Sequence, residues 1–191
     1  MNELTFDGQQ EGERILYTVH EHPLTAYISY VTTSVITLCI FGFTGLISST
    51  FPDASTLIWT IGMLFGFGVF ILGALWTKRH HEQSVAYITD RRIMRFEAVS
   101  PFFVAKRALF WNEALKAKAV TKNVFWKILN IGMVVVETQV SDQGEIRLGN
   151  VYYYDDLVNY IDKILYLFKN TPSEITGLRP FVPKPKGKRD I

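Results

Sequence analysis

Between Pro23 and Thr77 the chain has one charged side chain, Asp53. No aspartate, glutamate, lysine or arginine lies in Pro23–Pro52 or in Ala54–Thr77. A helix crossing the hydrocarbon core of a bilayer, roughly 30 Å thick, needs about 20 mainly apolar residues. Each run is long enough. With the short turn Phe51-Pro52-Asp53-Ala54-Ser55 between them, the pair predicts a transmembrane hairpin with spans at about 25–48 and 55–77. The same lack of charge argues against a proton relay or ion path within the spans, because such paths use intramembrane ionisable groups. Cysteine is nearly absent too. Cys39 is the only one and falls within the first run, which excludes an intrachain disulfide and any cysteine-based zinc site. There is no phosphate-cradling glycine loop, nucleophile elbow or HExxH pair, so no catalytic residue, metal ligand or cofactor site is assigned, and the expectation is a non-enzyme. His80-His81-Glu82 brings no third ligand at a useful spacing.

The charge that is present lies to one side. Residues 1–22 carry Arg14 against Glu3, Asp7, Glu11, Glu13 and Glu21. After Thr77 come 19 of the 20 Lys and Arg but only 12 of the 18 Asp and Glu. The Lys78-Arg79-His80-His81 cluster next to the second span favours a cytoplasmic location for that flank, by the positive-inside rule. Two spans then put both termini in the cytoplasm of a multi-pass cell-membrane protein. The first run is not read as a signal peptide, since an acidic, polar segment precedes it and it exceeds the usual h-region of about 7–15 residues. Small residues recur in the spans. Gly62 and Gly66 have GxxxG spacing, which allows close helix packing, either between the two spans or with a second copy.

After Gln83 the period changes to two. Strands are expected over Ser84–Thr89, Ile93–Ala98, Phe102–Trp111, Leu115–Val120, Met133–Gln139 and Glu145–Leu148, with turns at Asp90-Arg91 and Ser141-Asp142-Gln143-Gly144. On the second strand Met94, Phe96 and Ala98 form the expected buried face, with Arg95 and Glu97 opposite. Phe125–Leu129 is short and apolar and reads as one helical turn or a loop plug. Leu157, Ile161, Ile164, Leu165 and Phe168 form one apolar helical stripe, with Asp155 or Asp156 as its expected N-cap. Residues 1–13 look poorly ordered, and Gly12–His20 is compatible with a strand or a helix. A basic, proline-rich tail over 170–191 is expected to be disordered. The resulting domain plan is a 1–22 N-terminal segment, a 23–77 hairpin, a 78–169 soluble module and a 170–191 tail. The fold class is α+β: a helical hairpin, then six or seven antiparallel strands closed by a C-terminal helix.

Tyr87-Ile88-Thr89-Asp90-Arg91-Arg92-Ile93, the Asn123–Gly132 segment ahead of a valine-rich strand, the Leu157–Phe168 helix, and Glu13-Arg14-Ile15-Leu16 with His20 upstream all occur in order. This order resembles the bacterial pleckstrin-homology-like (PH-like) domain of membrane-flanked proteins, over roughly residues 11–168. The resemblance implies a PH-like barrel facing the cytoplasm and carries over no catalytic residue.

Lys78, Arg79, Arg91 and Arg92 are the lipid-headgroup candidates, the last two because basic residues at this turn often hold phosphorylated headgroups in lipid-binding PH domains. Arginine forks suit phosphate, and basic residues at a membrane surface are attracted to anionic lipid. The expected function is a membrane-anchored binding or scaffold module for protein, peptide or anionic lipid, self-assembling or joined to a membrane-protein partner. The alternative is an accessory subunit of a membrane transport complex. Nucleic acid is not an expected partner, because the basic tail is short and lacks interleaved aromatics.

Overall fold

A computed structural model describes residues 5–121, 123–139 and 144–183, and the chain divides into two units. One unit is Pro23–Glu82; the other is built from the residues on both sides of it. The fold is α+β, with two long apolar helices, antiparallel sheets and a C-terminal helix.

The first unit consists of α1 (Pro23–Thr50), a 3-10 turn at Pro52–Ala54 and α2 (Ser55–Gln83). Proline opens α1, where its missing N–H costs nothing. At about 1.5 Å per residue, 28 and 29 residues give each helix over 40 Å of length. Both are long and apolar enough to cross a membrane. Leu38, Phe43, Leu46, Leu64, Phe65 and Leu72 are exposed on their outer surfaces. Most serine and threonine hydroxyls in α1 are satisfied locally. Ser29, Thr32, Thr33, Ser34, Thr37 and Thr44 each donate to the carbonyl four residues earlier. This back-bonding satisfies those donors without water, whereas the Thr25 hydroxyl near the start of α1 is buried with no partner among the described residues.

Among the described residues the second unit holds seven strands. β1 (Ile15–His20), β2 (Val85–Thr89), β3 (Arg92–Ala98) and β4 (Val104–Phe110) form one antiparallel sheet in that order. β5 (Ala114–Val120), β6 (Ile131–Thr138) and β7 (Ile146–Tyr152) form the other. The short helix α3 (Val124–Ile128) joins β5 to β6, and α4 (Tyr154–Asn170) follows β7. Among the described residues the two sheets remain separate ladders and do not close by strand pairing.

Ile88, Ile93 and Leu109 from the first sheet meet Val134, Val136 and Leu148 from the second in one core, beneath Leu157, Ile161 and Ile164 of α4. Each such aliphatic side chain contributes about 1.5–3 kcal/mol on full burial. Trp111, at the corner between the sheets, is fully buried, and its indole N–H donates to the Thr89 carbonyl at 3.0 Å. The apolar stripe expected on α4 is the face that packs.

Several expectations need correction. Residues 5–13 are mostly exposed but held at both ends, with Phe6 buried and stacked on Tyr87 at 4.8 Å between ring centroids and Glu13 buried. The segment reads as poorly ordered because it is polar and its partners lie some 80 residues away. The predicted alternation on β3 is incomplete: Met94 and Ala98 are buried, but so is Ile93 on the Arg95 and Glu97 face. The strand is covered on both sides, by the core on one and by Phe6 on the other. The N-cap of α4 is Tyr153, in left-handed backbone (φ 52°), and its side chain makes no capping bond. Asp155 and Asp156 lie in the first turn instead, where negative charge favours the helix dipole.

The tail expected from 170 onwards continues as a 3-10 helix, Pro172–Gly177, with Ile175 and Leu178 buried. Phe181 packs between Tyr17 and Tyr160, and its amide donates to the Leu16 carbonyl at 3.1 Å. The same contact region partly buries Tyr160, whose hydroxyl donates to the Arg179 carbonyl, and this desolvation pushes its pKa up to about 12. The rest of the predicted tail, 184–191, and the turn residues 141–143 lie outside the described residues.

Candidate functional site

The motifs that were separate in the sequence meet at the β2–β3 turn. Glu13, just ahead of β1, is 4 % exposed, and Arg92, opening β3, is 7 % exposed. The Arg92 Nε–H and Nη2–H groups donate to the two Glu13 carboxylate oxygens, each at 3.0 Å. Arg92 Nη2 also donates to the Gly8 carbonyl at 2.7 Å, and its guanidinium lies over the rings of Phe6 and Phe110. The Thr89 hydroxyl donates to Glu13 at 2.8 Å and accepts the Arg91 and Arg92 amides. Burial works to raise the Glu13 pKa. The hydrogen bonds from Arg92, the Gln10 amide and Thr89 outweigh it and hold the carboxyl below its ordinary value. Asp90 completes the junction, accepting the Arg14 amide at 3.1 Å while its own amide donates to the Arg14 carbonyl.

This geometry removes Arg92 from the lipid-headgroup candidates. Its fork is buried and bidentate to a carboxylate of this chain, so it is a fold residue. Arg91 is exposed, and one of its N–H groups donates to the Gln10 side chain at 3.1 Å. Lys78 and Arg79 are exposed on the last turns of α2, which continues to Gln83 past the expected end of the second span. Lys78 and Glu82 form an exposed i,i+4 pair at 4.0 Å, of the kind that adds little stability.

Gly62 and Gly66 are buried in the helical unit. A side chain at Gly62 would run into Thr44, one at Gly66 into Phe41 and one at Gly73 into Thr33. The positions ascend in one helix as they descend in the other, so these glycines form the seam between the antiparallel α1 and α2. The small-residue face is therefore occupied within the chain, as expected for tethered helices approaching closely.

A second feature was not anticipated. A cleft of about 620 Å³ is lined by Arg95, Glu97 and Arg107 from the first sheet, Arg147 from the second with Glu145 just ahead of it, and Glu21 beyond β1. Arg95 and Arg107 are direct cross-strand partners. Like charges in that position repel, and the surroundings answer this unequally. Arg95 pairs with Glu97 at 3.3 Å and donates to the Arg147 carbonyl, while Arg147 pairs with Glu145 at 3.3 Å. Arg107 has no acidic partner within salt-bridge distance among the described residues. The cleft thus offers guanidinium donors and carboxylate acceptors in an open setting, which is binding chemistry. The Arg95/Glu97 spacing was legible in the sequence, but the approach of Arg107 depends on strand register and that of Arg147 on the second sheet.

Among the described residues no three His, Cys, Asp or Glu side chains come together as a metal site. No family model, curated protein or solved structure matches the chain.

Proposed function

We propose that the chain is a membrane-anchored PH-like binding or scaffold module, with α1 and α2 as a transmembrane hairpin, both termini cytoplasmic, and no catalytic role. The observation that carries this reading is the way the module is assembled. β1 and β2 are antiparallel neighbours, with His20 opposite Val85, a pairing that a two-residue turn can close. Instead the chain inserts two apolar helices of bilayer length between them and returns to complete the same sheet. An insertion of that kind serves as an anchor, and its outward apolar surface suits lipid, where every backbone and hydroxyl group must be satisfied internally. Two antiparallel sheets and a C-terminal helix also agree with the order of elements that the PH-like resemblance implies. The open arginine–glutamate cleft supplies a face for a charged peptide or protein segment. Arg91, Lys78 and Arg79 are the remaining candidates for anionic lipid.

The test is cysteine accessibility in intact cells, with Cys39 replaced by Ser. A membrane-impermeant maleimide should label Asp53→Cys from outside and Asn112→Cys only after the membrane is opened. Release of the chain by alkaline washing, or labelling of both positions from one side, would overturn the anchor.

A further inference from the structure

Two surface features of the β module expose apolar side chains that the fold specifies locally. The first is the β3–β4 loop. Its tip is a tight turn in which the Phe103 amide donates to the Ser100 carbonyl at 3.3 Å, with Pro101 at the position proline favours. The Ser100 hydroxyl accepts the amides of Phe102 and Phe103. The result is that Phe102 is 85 % and Phe103 72 % exposed. The second is α3. Asn123 caps it by accepting the Trp126 amide at 3.1 Å, and Asn130 ends it in left-handed backbone (φ 57°), a conformation asparagine tolerates. Val124, Phe125 and Ile128 share one face of this turn and are exposed, Val124 at 73 % and Ile128 at 76 %.

Strand pairing puts both features at one end of the module. Val85 pairs with Phe96 and His20 with Val85, so the β3–β4 loop lies at the end of its sheet where the chain departs for α1 and returns from α2. In the other sheet α3 runs into Ile131, which pairs with Tyr152. The Tyr152 ring lies 4.4 Å from that of His22, and the His22 amide donates to the Asn150 carbonyl at 2.7 Å. His22 is the last residue before α1. Both apolar features therefore lie beside the covalent junctions with the two helices.

We infer that these features are lipid contacts: Phe102 and Phe103 of the β3–β4 loop and Val124, Phe125 and Ile128 of α3 enter the interface of the bilayer in which α1 and α2 are anchored. The inference rests on the membrane reading above and deepens it, because it names the surface that the module touches. The tether selects this occupant. A group held within a few residues of a bilayer meets lipid at high effective concentration, and apolar side chains at the headgroup boundary sink roughly 5–10 Å.

The experiment uses the full chain in lipid vesicles, carrying an environment-sensitive thiol fluorophore at one position at a time. Native Cys39 reports on the first helix. In a Cys39→Ser background, Phe102→Cys and Ile128→Cys report on the two features, and Asn112→Cys, at the β4–β5 corner, is the aqueous reference. Spin labels on the lipid quench the probe only within reach. Quenching is expected at 39, 102 and 128 and not at 112, and adding Phe103→Asp and Val124→Asp should remove it at 102 and 128 while sparing 39. These substituted side chains are exposed, so the core is untouched. Quenching at 39 without quenching at 102 and 128 overturns the lipid contact and leaves the anchor standing; no quenching at 39 overturns the anchor itself. Probes at 102 and 128 that are shielded from water but unquenched, more so at higher protein-to-lipid ratio, would assign the face to a second copy and overturn the proposal.

Discussion

The two ends of the first sheet are finished in opposite ways. At the β2–β3 turn, charge is buried and answered: Arg92 and Glu13 bond each other, Thr89 joins them, and Phe6 covers the site. At the β3–β4 end, apolar groups are exposed and unanswered within the module, as with Phe102. Water alone as solvent would favour the reverse assignment, apolar groups inside and charges outside. The first end holds together two stretches of chain separated by an insertion, and on the reading proposed above the second is the end that meets lipid.

The largest effect expected from breaking this contrast is at the buried pair. Glu13→Ala leaves the Arg92 charge buried without its partner and should cost about 3–5 kcal/mol in denaturant unfolding. The companion variant Glu13→Ala with Arg92→Met should recover part of that loss, since replacing both members with apolar groups is often near neutral. The pair also carries a pH signature. The Glu13 carboxyl titrates below its ordinary 4.5 in the folded chain. Its contribution is therefore present above that value and is lost as pH falls through the folded pKa. Glu13→Gln should show a shallower loss of stability on acidification over that window.

The smallest effects belong to exposed groups. Arg91→Ala, next in sequence to Arg92, should shift stability by no more than about 0.5 kcal/mol, and so should Phe102→Ser. A cost near that of Glu13→Ala at either position would erase the distinction between the two ends.

Much of this architecture was legible in the sequence, and the misses share a cause. Charge-free runs revealed the two apolar helices, and local period revealed six of the strands and α4, because each of these signals is contiguous in the chain. Pairings across the insertion were not legible. Glu13, Arg14, Thr89, Asp90 and Arg92 were recognised as two separate motifs, yet nothing local shows that 76 to 79 residues of separation close into one ion-paired junction. For the same reason Arg92 looked like an exposed basic turn residue and residues 5–13 looked unstructured. The cleft was hidden because Arg95 and Arg107 meet only through strand register. Phe125–Leu129 reads equally as a helical turn or a loop plug, since a short apolar run does not say whether its face points inward or outward.

The central claim is that one module is built from both sides of the helical insertion, so the most direct measurement removes the insertion. A chain joining residues 1–22 to 83–191 through a short glycine-containing turn, studied in mild detergent to shield the exposed phenylalanines, should unfold in one cooperative thermal transition by circular dichroism. Residues 83–191 alone lack β1 and Glu13 and leave Arg92 unpaired. They should show no such transition. Equal cooperative unfolding of the two chains would contradict the account.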